Sequence, residues 1–568
     1  MTSPAAATGQ PLDCLLVHTP KMNNFYKPLG EFMWINYMPM GLLAIADWVN
    51  RHGHPTRVVH CGIEWIENPD FSIAEYAARL RPRVVGVSLH WHQQSYDVIE
   101  TARKIKAAVP DAFLVLGGFT ASFFHDELMR DYACVDGVIR GDGEVPMLEL
   151  VRQIRQVRQV GQVGQVGNLS DLSQVPNLTW RRVGQVGNLS SSPESSDAAS
   201  RPLGEVVVNP LQYVGTRELV NQLNFSNMPL LEHYETYVHS ISLPFVYVKN
   251  ESKKANYYKY TIRSPMFTLC MGRGCPVDCS YCGGSRSSQL RISGRRSYFY
   301  RSIDKVIETI LEAKRYGYET MHTCYDPEPR LQKYYVRLWR EIRRRSIPIE
   351  WFFEGNALPS REMIDEFALT FPSPRSVLAI SPETGSERVR RLNRGFYFSN
   401  QELLDTLEYI DRKGISMEVF FTYGIPFETE ADIRETIRLR GEIARRFKHV
   451  QGMRALSIEI EPGAPWQLDP DKYGIRTTLR TFCDYYHAHS DGSEGTYTRL
   501  GYHIPDYFAD GKVDERAFAR RLQALKCKHF CFIHPNMRRY LKPWQARMLC
   551  RVSSLVQKLR RRRTRATS

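Results

Sequence analysis

Cys275, Cys279 and Cys282 fall within eight residues as C-x3-C-x2-C, in the run Met-Gly-Arg-Gly-Cys-Pro-Val-Asp-Cys-Ser-Tyr-Cys-Gly-Gly-Ser. Three thiolates on one short loop can hold three corners of a cubane iron–sulfur cluster, whereas a cluster devoted to electron transfer ordinarily has four. The fourth iron is then open to a substrate. A zinc knuckle is the competing metal reading, but zinc asks for a closed set of four Cys or His ligands. The nearest further thiol, Cys270, falls inside a predicted strand, and no histidine stands close by. Glycines at 272, 274, 283 and 284 let the backbone approach a bulky inorganic group. A second group, Cys527, Cys531 and His534 in Cys-Lys-His-Phe-Cys-Phe-Ile-His, crowds its ligands onto one helix or turn. There a docking element is the plainer reading than a metal site.

The elements that must position the first cysteines come in two sets. Residues 12–154 alternate apolar runs (Leu12–His18, Thr56–Cys61, Val84–Leu89, Phe113–Leu116, Gly137–Ile139) with amphipathic stretches such as Met40–Arg51 and Tyr96–Ala108. That order predicts a doubly wound, Rossmann-like parallel sheet, which binds ligands beyond the carboxyl ends of its strands. At those ends stand Pro39 and Gly41, Ser88, Gly117, Gly118 and Thr120, and Gly141 and Glu144. By themselves they are close-approach glycines beside small hydroxyls, compatible with many cofactors or with plain turns. The second set begins at residue 263, with strands expected at Phe267–Met271, Thr320–Tyr325, Ile349–Glu354, Val377–Ser381, Met417–Tyr423 and Ala455–Ile460. Polar residues at the ends of such barrel strands read as catalytic or ligand-binding. They are Asp326, Asn356, Ser381, Glu383 and the Gly424-Ile-Pro426 turn.

The cysteine spacing, with the aromatic Tyr281 before the last thiol, resembles the radical S-adenosylmethionine (SAM) superfamily. That resemblance implies a [4Fe-4S] cluster whose open iron chelates the amino and carboxylate groups of SAM, with Tyr281 packed near the adenine. The six βα units resemble the partial (β/α)6 TIM-type barrel of the same superfamily. It implies that Asp326 meets the SAM amino group, although a glycine-rich version is common at that place. Ser381 and Glu383 would meet ribose or methionine, and Gly424 and Pro426 the adenine, with Gly283, Gly284 and Asn356 beside them. Arg394, in Leu-Asn-Arg-Gly, would suit the SAM carboxylate, because a guanidinium meets a carboxylate through two parallel hydrogen bonds.

The upstream loops, in their order, look like the cobalamin-binding domain fused to such enzymes. Domains that place a histidine below cobalt carry Asp-x-His-x-x-Gly after the first strand, and Lys21–Met38 holds neither Asp nor His. Cobalt is therefore expected to carry no protein imidazole, with His18, His60, His90 and His92 the remaining candidates. The implied chemistry is reductive cleavage of SAM to a 5′-deoxyadenosyl radical, hydrogen abstraction from an unactivated carbon, and methyl transfer from methylcobalamin, which a second SAM restores. The cofactors carry that chemistry while the protein positions them. A small-molecule or natural-product substrate and a reductase, flavodoxin or ferredoxin electron donor follow. One alternative keeps both cofactors but performs a cyclisation, rearrangement or oxidation. Another is an iron–sulfur nucleic-acid-binding protein using the basic tail, for which no base-stacking motif is found.

Length and composition bound the rest. With 568 residues the chain exceeds one ordinary core. The expected parts are a short N-terminus (1–11), the cobalamin-binding-like domain (12–154), a low-complexity insertion (155–205), a connecting region (206–262), the partial barrel (263–465), a helical C-terminal region (466–550) and a basic tail (551–568). The insertion repeats Gly-Gln-Val-Gly-Asn-Leu-Ser at 164–170 and 184–190, so it reads as an expanded, dispensable loop, although 176–181 keeps a strand-like pattern. No apolar run is long enough to span a bilayer and no secretory signal is evident, so a cytoplasmic protein is expected. The twelve scattered cysteines then read as reduced thiols plus a metal site. Net charge is +15, and from Arg538 onward there are eleven basic and no acidic residues. Such a tail can contact RNA, anionic lipid or an acidic partner, or simply be solvated.

Overall fold

The computed structural model describes residues 12–21, 37–68, 70–159, 171–182, 204–241, 246–250, 255–260, 265–324, 326, 331–490 and 502–503. The chain divides into two units, Met1–Ile262 with Gln289–Arg296 and Leu479–Thr496, and Arg263–Ser288 with Ser297–Thr478 and Tyr497–Ser568.

In the first unit, β1 (Cys14–His18), β2 (Thr56–His60), β3 (Val84–Ser88), β4 (Phe113–Gly117), β5 (Gly137–Ile139), β6 (Leu178–Arg182) and β7 (Glu205–Val208) form one sheet in the order β2-β1-β3-β4-β5-β6-β7. The first five are parallel, and β6 and β7 add antiparallel. Every residue of β1 and β3 is buried, which is why they read as unbroken apolar runs. Leu15, Val17, Val85, Val87, Leu114 and Leu116 pack with Ile99, Ala102 and Ile105 of the helix Ser95–Ala108. Phe482 and Tyr485, from the distant helix Phe482–Ala488, belong to the same core. Strand order reverses between β1 and β3, and in open α/β sheets ligands bind beyond the carboxyl ends at such a point. The Thr-Trp-Arg stretch between the repeats is β6, paired with β5. β8 (Val246–Asn250) and β9 (Ala255–Tyr260) pair as a separate antiparallel ribbon.

In the second unit β10 (Met266–Thr268) is followed by the short antiparallel pair β11 (Gly272–Arg273) and β12 (Phe299–Tyr300). Then come β13 (Thr320–Thr323), β14 (Glu350–Gly355), β15 (Val377–Glu383), β16 (Ser416–Tyr423) and β17 (Val450–Ser457). β10-β13-β14-β15-β16-β17 is one parallel sheet, each step crossed by a helix, as a partial barrel requires. The helix Lys333–Arg344 shows how the sequence sets this layer: Tyr335, Val336, Trp339 and Ile342 recur at helical spacing and are buried, with the arginines opposite. Trp339 meets Trp351 of β14 and Phe367 and Phe371 at ring-centroid distances of 5.3–6.0 Å. The helix Asn400–Arg412 opens on a capping box of Ser399 and Glu402.

Three expectations shift in detail: β10 ends at Thr268, so Cys270 lies after the strand and not inside it. β15 runs through Ser381 to Glu383 across an irregular register between Ile380 and Glu383, so these two residues lie within the strand. The sixth strand starts at Val450, because its pairing with β16 begins at Met417–Val450. Among the described residues no helix is long and apolar enough to cross a membrane.

Candidate cluster and cofactor sites

The cysteine loop leaves β11 through Gly274, whose φ is 89° and where a Cβ would lie 2.3 Å from the Ser297 carbonyl oxygen. Cys275, Cys279 and Cys282 are half-buried free thiols. Two backbone N–H groups point at the sulfurs: Gly284 N donates to Cys282 Sγ and Gly395 N to Cys279 Sγ, each at 3.3 Å. Burial pushes both thiols up; the Gly395 N–H and the Arg394 charge oppose it at Cys279, while Glu461 adds to it at Cys282. Burial likewise raises the Tyr281 phenol. Among the described residues no three Cys, His, Asp or Glu side chains share the sphere of a single metal ion. A cubane does not require that, since each thiolate binds a different iron. The donor set, three thiols with N–H groups aimed at two of them, fits such a cluster.

The loop is gripped from two sides by segments distant in sequence. Asn393 accepts from Ser280 through its backbone carbonyl (2.8 Å) and through Oδ1 (2.5 Å). Gly395 lies so close to Val277 that a Cβ would fall 2.3 Å from the Val277 Cβ. On the other side, Gly283 N donates to Glu461 Oε2 at 2.6 Å, Ser288 Oγ to the Gly463 carbonyl at 2.5 Å, and Trp466 N to the Ser280 carbonyl at 2.9 Å. Asn393, Gly395 and Glu461 were not singled out from the sequence. Two of them flank Arg394 in the Leu-Asn-Arg-Gly run.

At the strand ends, buried Asp326 accepts from the Tyr300 hydroxyl. Arg394 donates through its terminal nitrogens to the backbone carbonyls of Ser381 and of Asn356, the latter at 2.8 Å, tying the end of β15 to that of β14. Its buried Nε has no partner among the described residues. Since a guanidinium has five N–H donors, capacity for an anion remains. Glu383 takes the left-handed φ of 65°, uncommon for a non-glycine residue. Burial raises its carboxyl, and the Arg394 charge holds it back. After β16, Gly424 N donates to Glu428 at 2.7 Å, and the Pro426 carbonyl accepts from Asn393 Nδ2 at 2.8 Å.

The first unit gathers its expected residues along the carboxyl edge. Pro39 precedes the helix Met40–Arg51, and a Cβ on Gly41 would touch none of the described residues within 4 Å. Ser88 ends β3 and Gly117 ends β4, where, among the described residues, a Cβ would meet only the Ile139 carbonyl at 3.8 Å. Gly118 is different: its φ is 109° and a Cβ would lie 2.8 Å from His90 Cα and from the Leu89 carbonyl oxygen. Thr120 Oγ1 donates to the His90 carbonyl at 3.0 Å, and Ser122 Oγ donates to that of Gly118 while accepting from Gly141 N at 2.9 Å. Ser122, which the sequence reading passed over, thus staples the loops after β4 and β5. Glu144 opens the helix Glu144–Gln159 and accepts from the Tyr213 hydroxyl at 3.4 Å. A rim bare of side chains at Gly41 and Gly117 and lined with hydroxyls fits a broad, flat cofactor.

Of the four histidines, buried His60 caps the helix Cys61–Glu67, its Nδ1 accepting from Gly62 N and Ile63 N. His18 packs its ring 4.8 Å from that of His60, His92 lies 5.2 Å from Tyr485, and His90 sits edge-on to Phe119 at 5.2 Å. Residues 22–36 of the loop after β1, the repeats at 164–170 and 184–190, Cys527, Cys531 and His534, and the basic tail lie outside the described residues.

The family model of the radical SAM superfamily matches residues 269–440, and that of the B12 binding domain residues 36–151. An uncharacterized methyltransferase of Pyrococcus horikoshii is 21% identical over 403 residues, 70% of this chain and 72% of its own. The anaerobic magnesium-protoporphyrin IX monomethyl ester cyclase of Rubrivivax gelatinosus is 21% identical over 408 residues, 71% of this chain and 62% of its own. Among solved structures, the radical S-adenosylmethionine methyltransferase TsrM from Kitasatospora setae, with cobalamin and a [4Fe-4S] cluster bound, is similar with a TM-score of 0.59 at 15% identity, covering 94% of this chain and 89% of that one. With a B12 binding domain on the sheet whose rim is bare at Gly41 and Gly117, and a radical SAM match over the three-thiol loop and its strands, the chain belongs to the cobalamin-binding radical SAM enzymes.

Proposed function

We propose that this enzyme methylates an unactivated carbon of a small-molecule substrate, using a [4Fe-4S] cluster, SAM and cobalamin. The observation that carries the proposal is the pairing, on one chain, of a three-thiol loop with a B12 binding domain, together with a relative, matched over 72% of its length, that is named as an uncharacterized methyltransferase. When bound, the cluster supplies an electron that cleaves SAM to a carbon radical, and cobalamin carries the methyl group. The chain's own residues bind and orient. Cys275, Cys279 and Cys282 hold the cluster, and Tyr281, Gly283, Gly284, Asp326, Asn356, Ser381, Glu383, Arg394, Gly424 and Pro426 line the SAM site. Pro39, Gly41, Ser88, Gly117, Gly118, Thr120, Gly141 and Glu144 hold cobalamin. A flavodoxin, ferredoxin or reductase supplies the electron.

A second reading, a cobalamin-assisted cyclisation or oxidation, draws on the cyclase relative. Product analysis separates the two. Anaerobically reconstituted protein given SAM and a reductant should release 5′-deoxyadenosine and, stoichiometric with its bound cobalamin, S-adenosylhomocysteine. 5′-Deoxyadenosine without S-adenosylhomocysteine would favour the second reading. Replacing Cys275, Cys279 and Cys282 by Ala should abolish cluster and SAM cleavage together; a cluster retained in that variant would sink both readings.

A further inference from the structure

Asn393 ends the helix Glu387–Asn393 and is 2% exposed, yet every polar group of its side chain is engaged. Oδ1 accepts from Ser280 Oγ at 2.5 Å, inside the cysteine loop between Cys279 and Cys282. Nδ2 donates to the Pro426 carbonyl at 2.8 Å, in the turn after β16, and to the Val389 carbonyl at 3.0 Å. Its own carbonyl accepts from Ser280 N at 2.8 Å. One amide therefore joins two segments that are 113 and 33 residues away in sequence. The next two residues reinforce the junction: Arg394 ties the ends of β14 and β15, and Gly395 N reaches Cys279 Sγ.

A buried side-chain amide has two N–H donors and an acceptor oxygen, and leaving one of these groups without any partner costs more than a hydrogen bond contributes. Asn393 meets that demand only while the cysteine loop and the β16 turn keep one separation. Reaction between a cofactor and a bound partner is sensitive to misplacement on the order of 1 Å. We infer that Asn393 is a positioning residue that fixes the cysteine loop against the turn at Gly424–Pro426, so that SAM held at that turn meets the cluster in register. This rests on the proposed SAM site.

The test uses full-length, anaerobically reconstituted protein, with SAM as the probe and three readouts: iron content, the SAM dissociation constant, and the change that SAM causes in the electron paramagnetic resonance spectrum of the reduced cluster. Asn393→Asp keeps an acceptor for Ser280 but loses the donor to Pro426 and sets a carboxylate against that carbonyl. It should keep its iron, bind SAM about tenfold more weakly, as for the loss of one hydrogen bond, and show a diminished SAM-induced spectral change. Ser280→Ala removes the other half of the bridge and cannot disturb the turn directly. It should alter the spectrum of the SAM-bound cluster while SAM affinity stays within about twofold, a change of under half a kcal/mol. Wild-type affinity and spectral response in Asn393→Asp would overturn the inference. So would loss of the cluster in Asn393→Asp with Ser280→Ala indistinguishable from wild type, which would make Asn393 a general structural residue. A wild-type protein that holds its cluster but binds no SAM would instead refute the proposed function, and the inference with it.

Discussion

Gly117 and Gly118 are neighbours with opposite demands. A Cβ at Gly118 would strike the backbone of His90 and Leu89 at 2.8 Å, and the φ of 109° is one that side chains rarely adopt. Gly118→Val should therefore destabilise the first unit by at least the about 1–3 kcal/mol of a strained backbone position, read as a lower melting temperature. In Gly117→Val the new Cβ would meet, among the described residues, only the Ile139 carbonyl at 3.8 Å. The variant should leave the melting temperature near wild type and lower cobalamin content, measured by absorbance; full cobalamin occupancy would remove that rim from the site. His90 offers a pH test. Burial pushes its imidazole down from 6.5 to about 4. Its contribution to stability is thus fully present above pH 6.5 and is lost as pH falls toward 4, because the folded state resists the proton that the unfolded chain accepts. His90→Gln keeps the backbone carbonyl that Thr120 uses. It should show a smaller drop in melting temperature between pH 7 and pH 5 than the wild type.

At the scale of elements, β6 and β7 pair from Thr179–Val208 to Arg182–Glu205, so the chain leaves β6 and re-enters β7 at adjacent positions. Deleting residues 184–200 would leave Val183 and residues 201–204 as a connection, within the length that closes a hairpin. Shortening a loop changes its closure cost by only about 0.6 kcal/mol per halving. Folding, cobalamin content and SAM cleavage should all survive the deletion, and a large fall in melting temperature would show that the second repeat is structural. The same hairpin explains why the sequence reading placed the insertion too broadly. Low-complexity residues flank a genuine strand on both sides, and Leu178–Arg182 is too short to announce its partner.

At the scale of the whole molecule, the chain returns to its first unit after forming the parallel sheet of the second. Phe482 and Tyr485 are fully buried in the core of the parallel sheet, where Phe124 and Tyr132 meet Phe482 at 5.7 and 5.3 Å. Phe482 N also donates to Glu127 across 355 residues of sequence. Phe482→Ala should cost about 3–5 kcal/mol, the range for a buried aromatic cut back to Ala. The loss should appear in the denaturation of the cobalamin-binding unit, with cobalamin content falling. An unchanged unfolding curve would show that this helix is not part of the working core.

The order of strands and helices, the three-cysteine loop and most strand-end positions were legible in the chain's residues alone. These are written locally, in five buried parallel runs, in helical spacing such as Tyr335–Trp339–Ile342, and in three cysteines within eight residues. Element ends were less legible, since the register of β15 at Glu383 and the start of β17 depend on the neighbouring strand. How the three-cysteine loop is held emerges only on folding. Arg394 spends terminal N–H groups on backbone carbonyls, Gly395 and Gly284 offer N–H groups to sulfur, and Asn393 bridges two loops. Backbone donors and acceptors are the same at every residue type but proline, so no composition or spacing marks which ones a thiol or a guanidinium will meet. Those partners are chosen when distant segments close on each other, as the chain from Asn393 to Gly395 closes on the cysteine loop.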